Sequence, residues 1–324
     1  MKHYTFIDYA TQGYLFGVGL LILFFHGDRA PSWPWLLAAH AGGLAVVHGL
    51  IRYHASGPRC RVVNFLRHYY PILLYTGFYR ETGELHHMFY AGFLDRVFIK
   101  LDAAIFGFQP SLAFMEWLPY VAISELFYAA YFTYYLMIAG VGVALFLRNR
   151  EQFFHYVSVV SFVFYVCYLI YIFLPVMGPR SFNRDPAEYT LPAEVQPAHV
   201  PAVPEAVKAG VFYQIMGFIY RHFEAPGAAF PSSHVAVALT TVWFSFRYLR
   251  RIRYIHLVDV ILLCLSTVYC RYHYVVDVLA GLLAAAVLVP TGNWLYFKFL
   301  NRELSEPPAA STPGGKAVCL RSTD

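Results

Sequence analysis

Two histidine-bearing patches combine residue types that can do chemistry on an anion: Phe230-Pro231-Ser232-Ser233-His234 and Arg271-Tyr272-His273-Tyr274-Val275-Val276-Asp277. Imidazole exchanges its proton near neutral pH, so two of them can divide the roles of nucleophile and proton donor. His273 and Asp277 are four residues apart, which on a helix puts them on one face, one turn from each other. A carboxylate on one ring nitrogen fixes the tautomer and leaves the other nitrogen free to attack or to take a proton. A purely structural His–Asp bond fits the same spacing. An ionisable Asp one turn into an apolar segment is costly, however, and is usually partnered.

In the first patch Pro231 stiffens the entry to a helix, and Ser232 and Ser233 add hydroxyls beside backbone N–H groups that have no helical partner. That is an anion site, with His234 in its first turn. A helix cap with an incidental histidine is the bland alternative. Arg271 and Arg180, the latter after the Gly178-Pro179 turn, can each grip phosphate oxygens with a planar fork, or serve as interfacial anchors.

The elements that position these patches are apolar. Between the two histidines lie an apolar run (235–248), a basic turn with Arg247, Arg250, Arg251 and Arg253, and a second apolar run (255–269). Such a hairpin returns both histidines to one face of a membrane. The whole chain is 59% hydrophobic, 19% aromatic and 13% charged, whereas a soluble domain is roughly a quarter charged. The expected fold is therefore all-α, a polytopic membrane helical bundle. A span needs about 20 apolar residues, and the candidates are 10–25, 35–51, 120–147, 154–174, 233–249, 255–270 and 274–296. The segment 69–90 is ambiguous, because its apolar start gives way to Arg80, Glu81, Glu84, His86 and His87.

Lys and Arg collect in short cytoplasmic loops. The clusters Arg52/Arg59/Arg61/Arg67, Arg148/Arg150, Arg247 to Arg253 and Lys298/Arg302 share one side if 69–90 crosses, giving about eight helices with both ends cytoplasmic. A seven-helix rival leaves 52–119 outside and puts seven Lys and Arg on the wrong side. On either count Gly178-Pro179-Arg180 and the two histidine patches share the non-cytoplasmic face, periplasmic or lumenal. A bacterial inner membrane is preferred to an organelle membrane. The chain then divides into an N-terminal hairpin with a basic loop (1–68), a membrane domain carrying the patches (69–299), and a tail (300–324) whose Pro, Gly, Ser and Thr content points to disorder. Within the membrane domain, 181–229 reads as an extracytoplasmic loop whose amphipathic helix, 205–222, can lie at the interface as a lid. The first apolar segment leads into His26-Gly27-Asp28-Arg29 rather than a cleavage site, and reads as retained.

Other classes fit less well. Cys60, Cys167, Cys264, Cys270 and Cys319 are scattered, with neither a disulfide framework nor a zinc pattern. The net charge of +5 comes without a basic block interleaved with aromatics, so no nucleic-acid partner is expected. Among 14 histidines none are three or four apart, which disfavours a di-iron site. A transporter or a purely structural membrane protein is the remaining alternative. Its charged candidates, Glu125, Asp259, His40 and His48, form no pair in sequence and read as polar residues satisfied within the bundle.

Together the patches resemble the type 2 phosphatidic acid phosphatase superfamily, most closely the branch with fungal inositol phosphorylceramide synthases and bacterial relatives. The resemblance covers roughly 69–296. It rests on Phe230 to His234, on His273 to Asp277 with Gly281, on Pro175-Val176-Met177-Gly178-Pro179-Arg180, and on Leu101-Asp102-Ala103-Ala104-Ile105-Phe106-Gly107 followed by Pro110. Two features differ: the family's first motif, Lys then Arg-Pro, is replaced by Arg180 alone, and Ser266-Thr267 stands where Ser-Arg usually opens the third. The resemblance implies a lipid phosphatase or phosphotransferase in which His273 forms a phosphohistidine, Asp277 orients it, and His234 is the proton donor and then the base. Arg180, Arg271, Ser232 and Ser233 would hold the phosphate. The implied partner is a lipid phosphate or phospholipid, and the scheme needs no metal or other cofactor. Neither the identity of the lipid nor the oligomeric state is legible.

Overall fold

The long apolar runs fold as helices because a membrane-embedded backbone must satisfy its N–H and C=O groups within each segment. A computed structural model describes residues 4–57, 60–183, 190–197 and 199–305. Among these the fold is all-α, with a single isolated bridge, Val176 to Ala228, and no strand. Five helices are long and apolar enough to cross a membrane: α1 (Phe6–Phe25), α2 (Trp33–Ala55), and three further along the chain, α6 (Val121–Arg148), α7 (Arg150–Phe173) and α12 (Val275–Ser305, crossing within 275–300). Alongside them run α3 (Arg61–Leu85), α10 (Ser233–Tyr248) and α11 (Arg253–Tyr269). Shorter helices α4 (Asp95–Phe106) and α5 (Pro110–Trp117) meet at 61°.

The ambiguous segment belongs to α3, which begins before it, so the expected domain boundary at 68/69 falls inside a helix. Several of its polar residues spoil the hydropathy but are paired inside the bundle. Arg67 Nη2 and the Tyr70 hydroxyl donate to the Asp8 carboxylate of α1, each at 2.6 Å. Glu81 receives His40 Nε2 at 3.0 Å and the Tyr14 hydroxyl at 3.3 Å. Buried charges are tolerated when paired in this way. The other charged candidates for a transport path are likewise engaged: Asp259 accepts from Thr133 at 2.7 Å, and His48 meets the Tyr4 hydroxyl.

The centre of the bundle is α7, which packs against α1, α3, α6, α10 and α12. Its Tyr156, Val163, Tyr171 and Ile172 are fully buried. The amphipathic stretch 205–222 is not one helix. It breaks into α8 (Glu205–Lys208) and α9 (Val211–Phe223), because Gly210 lies against the Glu125 carboxylate, which accepts the N–H groups of Phe212 and Tyr213 at 3.1 and 3.4 Å. A side chain at 210 would strike that carboxylate. On α9, Val211, Phe218 and Phe223 are exposed, as expected of a helix lying on an apolar boundary. Arg59, part of the Pro-rich stretch (184–189 and 198) and the tail beyond 305 lie outside the described residues, while 300–305 continue α12.

Candidate active site

His234 and His273 meet at one end of the bundle. Ser232 caps α10, its Oγ accepting the Val235 N–H at 3.3 Å, and His234 follows in the first turn. The Tyr171 hydroxyl of α7 donates to Pro231 O at 3.0 Å and accepts Ser233 N–H at 3.2 Å, which fixes the entry to the helix. Helix α12 crosses this entry closely: a Cβ at Gly281 would sit 2.6 Å from Ser232 O, so the glycine is what lets the two helices meet. Ser232 N–H then donates to Asp277 O at 3.0 Å, tying the two histidine patches together.

His273 does not stand on a helix. It lies in the turn between α11 and α12, with the Tyr272 and His273 N–H groups both donating to Thr267 O at 2.9 and 3.0 Å. The chain reaches this turn through Arg271 in the left-handed region, φ 60°. Asp277, in the first turn of α12, accepts Tyr274 N–H at 2.9 Å, and the same oxygen lies 3.4 Å from His273 Nδ1. That is ion-pair distance outside hydrogen-bond geometry, and Asp277 Oδ1 is buried with no hydrogen bond among the described residues. The expected helical face is thus replaced by a turn that places the carboxylate below the ring. The opposite nitrogen, His273 Nε2, is 3.5 Å from His234 Nδ1. Tyr131 and Tyr134 pack against the His234 ring, with centroids 4.9 and 4.6 Å away.

The two arginines have different partners. Arg180 reaches the histidine side of the site: Nη1 is 2.6 Å from Glu224 Oε1, and its guanidinium lies 4.5 Å above the Tyr220 ring, which stacks on Tyr272 at 4.0 Å. Arg271 Nη1 donates to Pro201 O at 2.7 Å, and its Nε and Nη2 are buried with no hydrogen bond among the described residues. Ser233 lines the cavity below His234, whereas Ser232 is spent on the helix cap.

Burial, then the neighbouring His234 and Arg180, hold the His273 pKa well below the ordinary histidine range. A neutral imidazole keeps a lone pair for attack. Protonation would remove it, so a depressed pKa extends the reactive form to lower pH. The acid limb of kcat/KM is expected below the ordinary value of about 6.5. A pH–rate profile on a substrate that does not titrate in this range checks it.

Two carboxylates hold this geometry: Asp95, which escapes a reading of the sequence, and Asp102, which enters it only within the 101–107 stretch of the resemblance. Asp95 accepts the N–H groups of Met177 and Gly178, both at 2.9 Å, and the Tyr274 hydroxyl at 3.0 Å. Asp102 accepts the N–H groups of Val275 and Val276, both at 3.0 Å. Seven residues apart on α4, they face the same way, and both are fully buried. One holds the loop leading to Arg180 and the other the start of α12. Gly178 permits the first loop, at φ 87° with Tyr272 O only 2.6 Å from where a Cβ would stand. The available signal was an acid repeated on the apolar face of a short helix. Asp95→Ala strands two buried N–H groups, each worth about 1–3 kcal/mol. The expected outcome is a lower thermal midpoint in detergent together with a raised KM, because the loop carrying Arg180 is freed.

No curated protein and no solved structure matches the chain. The model of the PAP2 superfamily matches residues 96–291. This interval contains both histidine patches, Arg180 and Asp102, and makes up more than half of the sequence. The helix that anchors the site, the loop that carries its arginine and the two patches that meet at its centre are thus the shared core, and the chain belongs to the PAP2 superfamily.

Proposed function

We propose that the protein is an integral-membrane phosphatase or phosphotransferase that works on a lipid phosphate, phosphodiester or diphosphate through a phosphohistidine. The observation that carries this is the line His234–His273–Asp277, with contacts of 3.5 and 3.4 Å, beside Arg180. In the first step His273 Nε2 attacks phosphorus while the P–O bond to the leaving group breaks and His234 gives that oxygen a proton. The carboxylate of Asp277 steadies the positive charge that grows on the ring. His234 then takes a proton from water or an alcohol, whose oxygen displaces Nε2 from phosphorus and returns His273 to its neutral form. The ring nitrogens must part to admit the phosphoryl group, and His234, partly exposed over the cavity, can swing to do so. Arg180 meets the charge on the transferring group, since positioning and electrostatics dominate such reactions.

Water as acceptor makes a phosphatase, and an alcohol makes a transferase of the kind found in the inositolphosphotransferase branch. Incubation with lipid phosphates and phospholipids, with and without inositol, separates them by product. The catalytic groups are all side chains of this chain, so turnover is expected to persist in EDTA. Vanadate, which imitates five-coordinate phosphorus, should inhibit. Loss of turnover in EDTA, restored by a divalent ion, would defeat the scheme.

The reaction is proposed for the non-cytoplasmic face. The basic clusters gather at the end opposite the histidines, where Arg148 donates to Tyr248 O at 3.0 Å and the Tyr9 and Phe299 rings lie 5.0 Å apart. By the positive-inside rule that end is cytoplasmic. Helices α4 and α5 stay at the histidine end, tied by Asp95, Asp102 and the Tyr269 hydroxyl on Leu118 O at 2.8 Å. This arrangement supports eight crossings, by α1, α2, α3, α6, α7, α10, α11 and α12.

A further inference from the structure

A cavity of about 560 Å³ runs from His234 and Ser233 down the bundle to Tyr69 and Phe153. Its floor is α7, and its walls are α3 and α6, which both pack on α7. The gap between them faces outward, with Thr76, Ala139 and Val143 exposed along it. At the far end the slot is lined by Tyr69 and Phe153, whose rings lie 5.2 Å apart, with the Phe146 ring against both at 4.9 and 5.1 Å. Near the histidines it is roofed by Tyr220 and Phe223 of α9.

Resting on the reading of the histidine pair as the reaction centre, we propose that this slot holds one hydrocarbon chain of the substrate and limits its length. Ala139, Gly142 and the Tyr69–Phe146–Phe153 stopper are the residues that set the limit. The polarity of the slot supports a chain with an anionic head. Tyr75 spends its hydroxyl on Ser161 Oγ at 2.6 Å, and Tyr156 donates to Ile138 O at 3.1 Å, so both offer ring carbon to the slot. Charged and hydrogen-bonding groups lie at the His234 end, where Glu224 and Arg180 meet. From Tyr168 to Phe153 along α7 the slot spans roughly 22 Å at 1.5 Å per residue. That suits an extended long-chain tail rather than a compact ligand. Small residues keep it open midway: a Cβ at Gly142 would come no closer than 3.7 Å to the Tyr156 ring, while larger groups at 139 or 142 would fill the space. Helix α3 lies outside the matched interval 96–291, so one wall is supplied by a part of this chain beyond the shared core.

The test uses the full-length protein in detergent with straight-chain alkyl phosphates, butyl to docosyl. Ala139→Trp should lower the hexadecyl-to-butyl ratio of kcat/KM by roughly tenfold or more, since several methylenes lose their burial. Tyr69→Ala opens the stopper and should raise the docosyl-to-hexadecyl ratio, which keeps the test alive if the tryptophan variant does not fold. Separately, hexadecyl phosphate with a terminal diazirine is photolysed on His273→Ala. Adducts on the peptides of Tyr69, Phe146 and Phe153 are expected there even without turnover. Unchanged ratios in folded variants, or adducts spread over outer faces of other helices, would overturn the slot. Normal turnover by His273→Ala with adducts at the stopper would instead overturn the reaction scheme and leave the slot standing.

Discussion

His273→Ala is expected to abolish turnover of every phosphate ester the protein accepts, by roughly four to six orders of magnitude, the loss seen when a covalent nucleophile is removed. The fold should survive, because the turn that carries His273 is held by backbone donors to Thr267 O and by Asp102 at the start of α12, none of which involves the imidazole. Equal thermal midpoints for wild type and variant, with no product from nitrophenyl or lipid phosphates, would establish that the loss is chemical. Near-normal turnover in a folded preparation would return both histidine patches to structural roles.

The second large effect depends on the leaving group. His234 stands 3.5 Å from His273, the proposed nucleophile, and is held at the start of α10 by the cap at Ser232 and by Tyr171. Its proposed role in the first step is to protonate the departing oxygen. His234→Ala should therefore slow cleavage of an alkyl ester by about 10²–10⁴. A nitrophenyl ester leaves as a stable anion and needs no proton, so its first step should be far less affected. Single-turnover rates on the two esters give the comparison. An equal loss for both would move His234 from proton donor to positioning group.

Five of the seven expected spans coincide with helices long and apolar enough to cross a membrane, with ends close to the composition breaks, while 233–249 and 255–270 are helices that fall short of that measure. The helix α3 was obscured for a physical reason: Arg67 and Glu81 depress its hydropathy, yet both are answered by partners on α1 and α2 that lie far away in sequence. The meeting of His234 with His273 follows from a hairpin that goes down and back, and their residue types mark them. Spacing misled at one place. The four-residue step from His273 to Asp277 implied a helical face, but the helix starts only at Val275. Arg271 adjoins the turn that carries His273 and gives one guanidinium hydrogen bond to Pro201 O. Asp95 was invisible because its partners are backbone N–H groups of a distant loop, which carry no residue-type signal. Glu224, paired with Arg180, was hidden in the same way, at the end of a helix whose start is fixed by Glu125 on another element.

The central claim is that phosphorus becomes bonded to His273 Nε2. A phosphate ester radiolabelled at phosphorus, mixed with the protein and quenched in alkali within a single turnover, tests it directly, since a phosphoramidate survives base and is lost in acid. The expected result is one acid-labile, base-stable label on the peptide containing His273, stronger in His234→Ala with a nitrophenyl ester because the second step then lacks its base. Label on any other residue, or none at all while product appears at the normal rate, would contradict it.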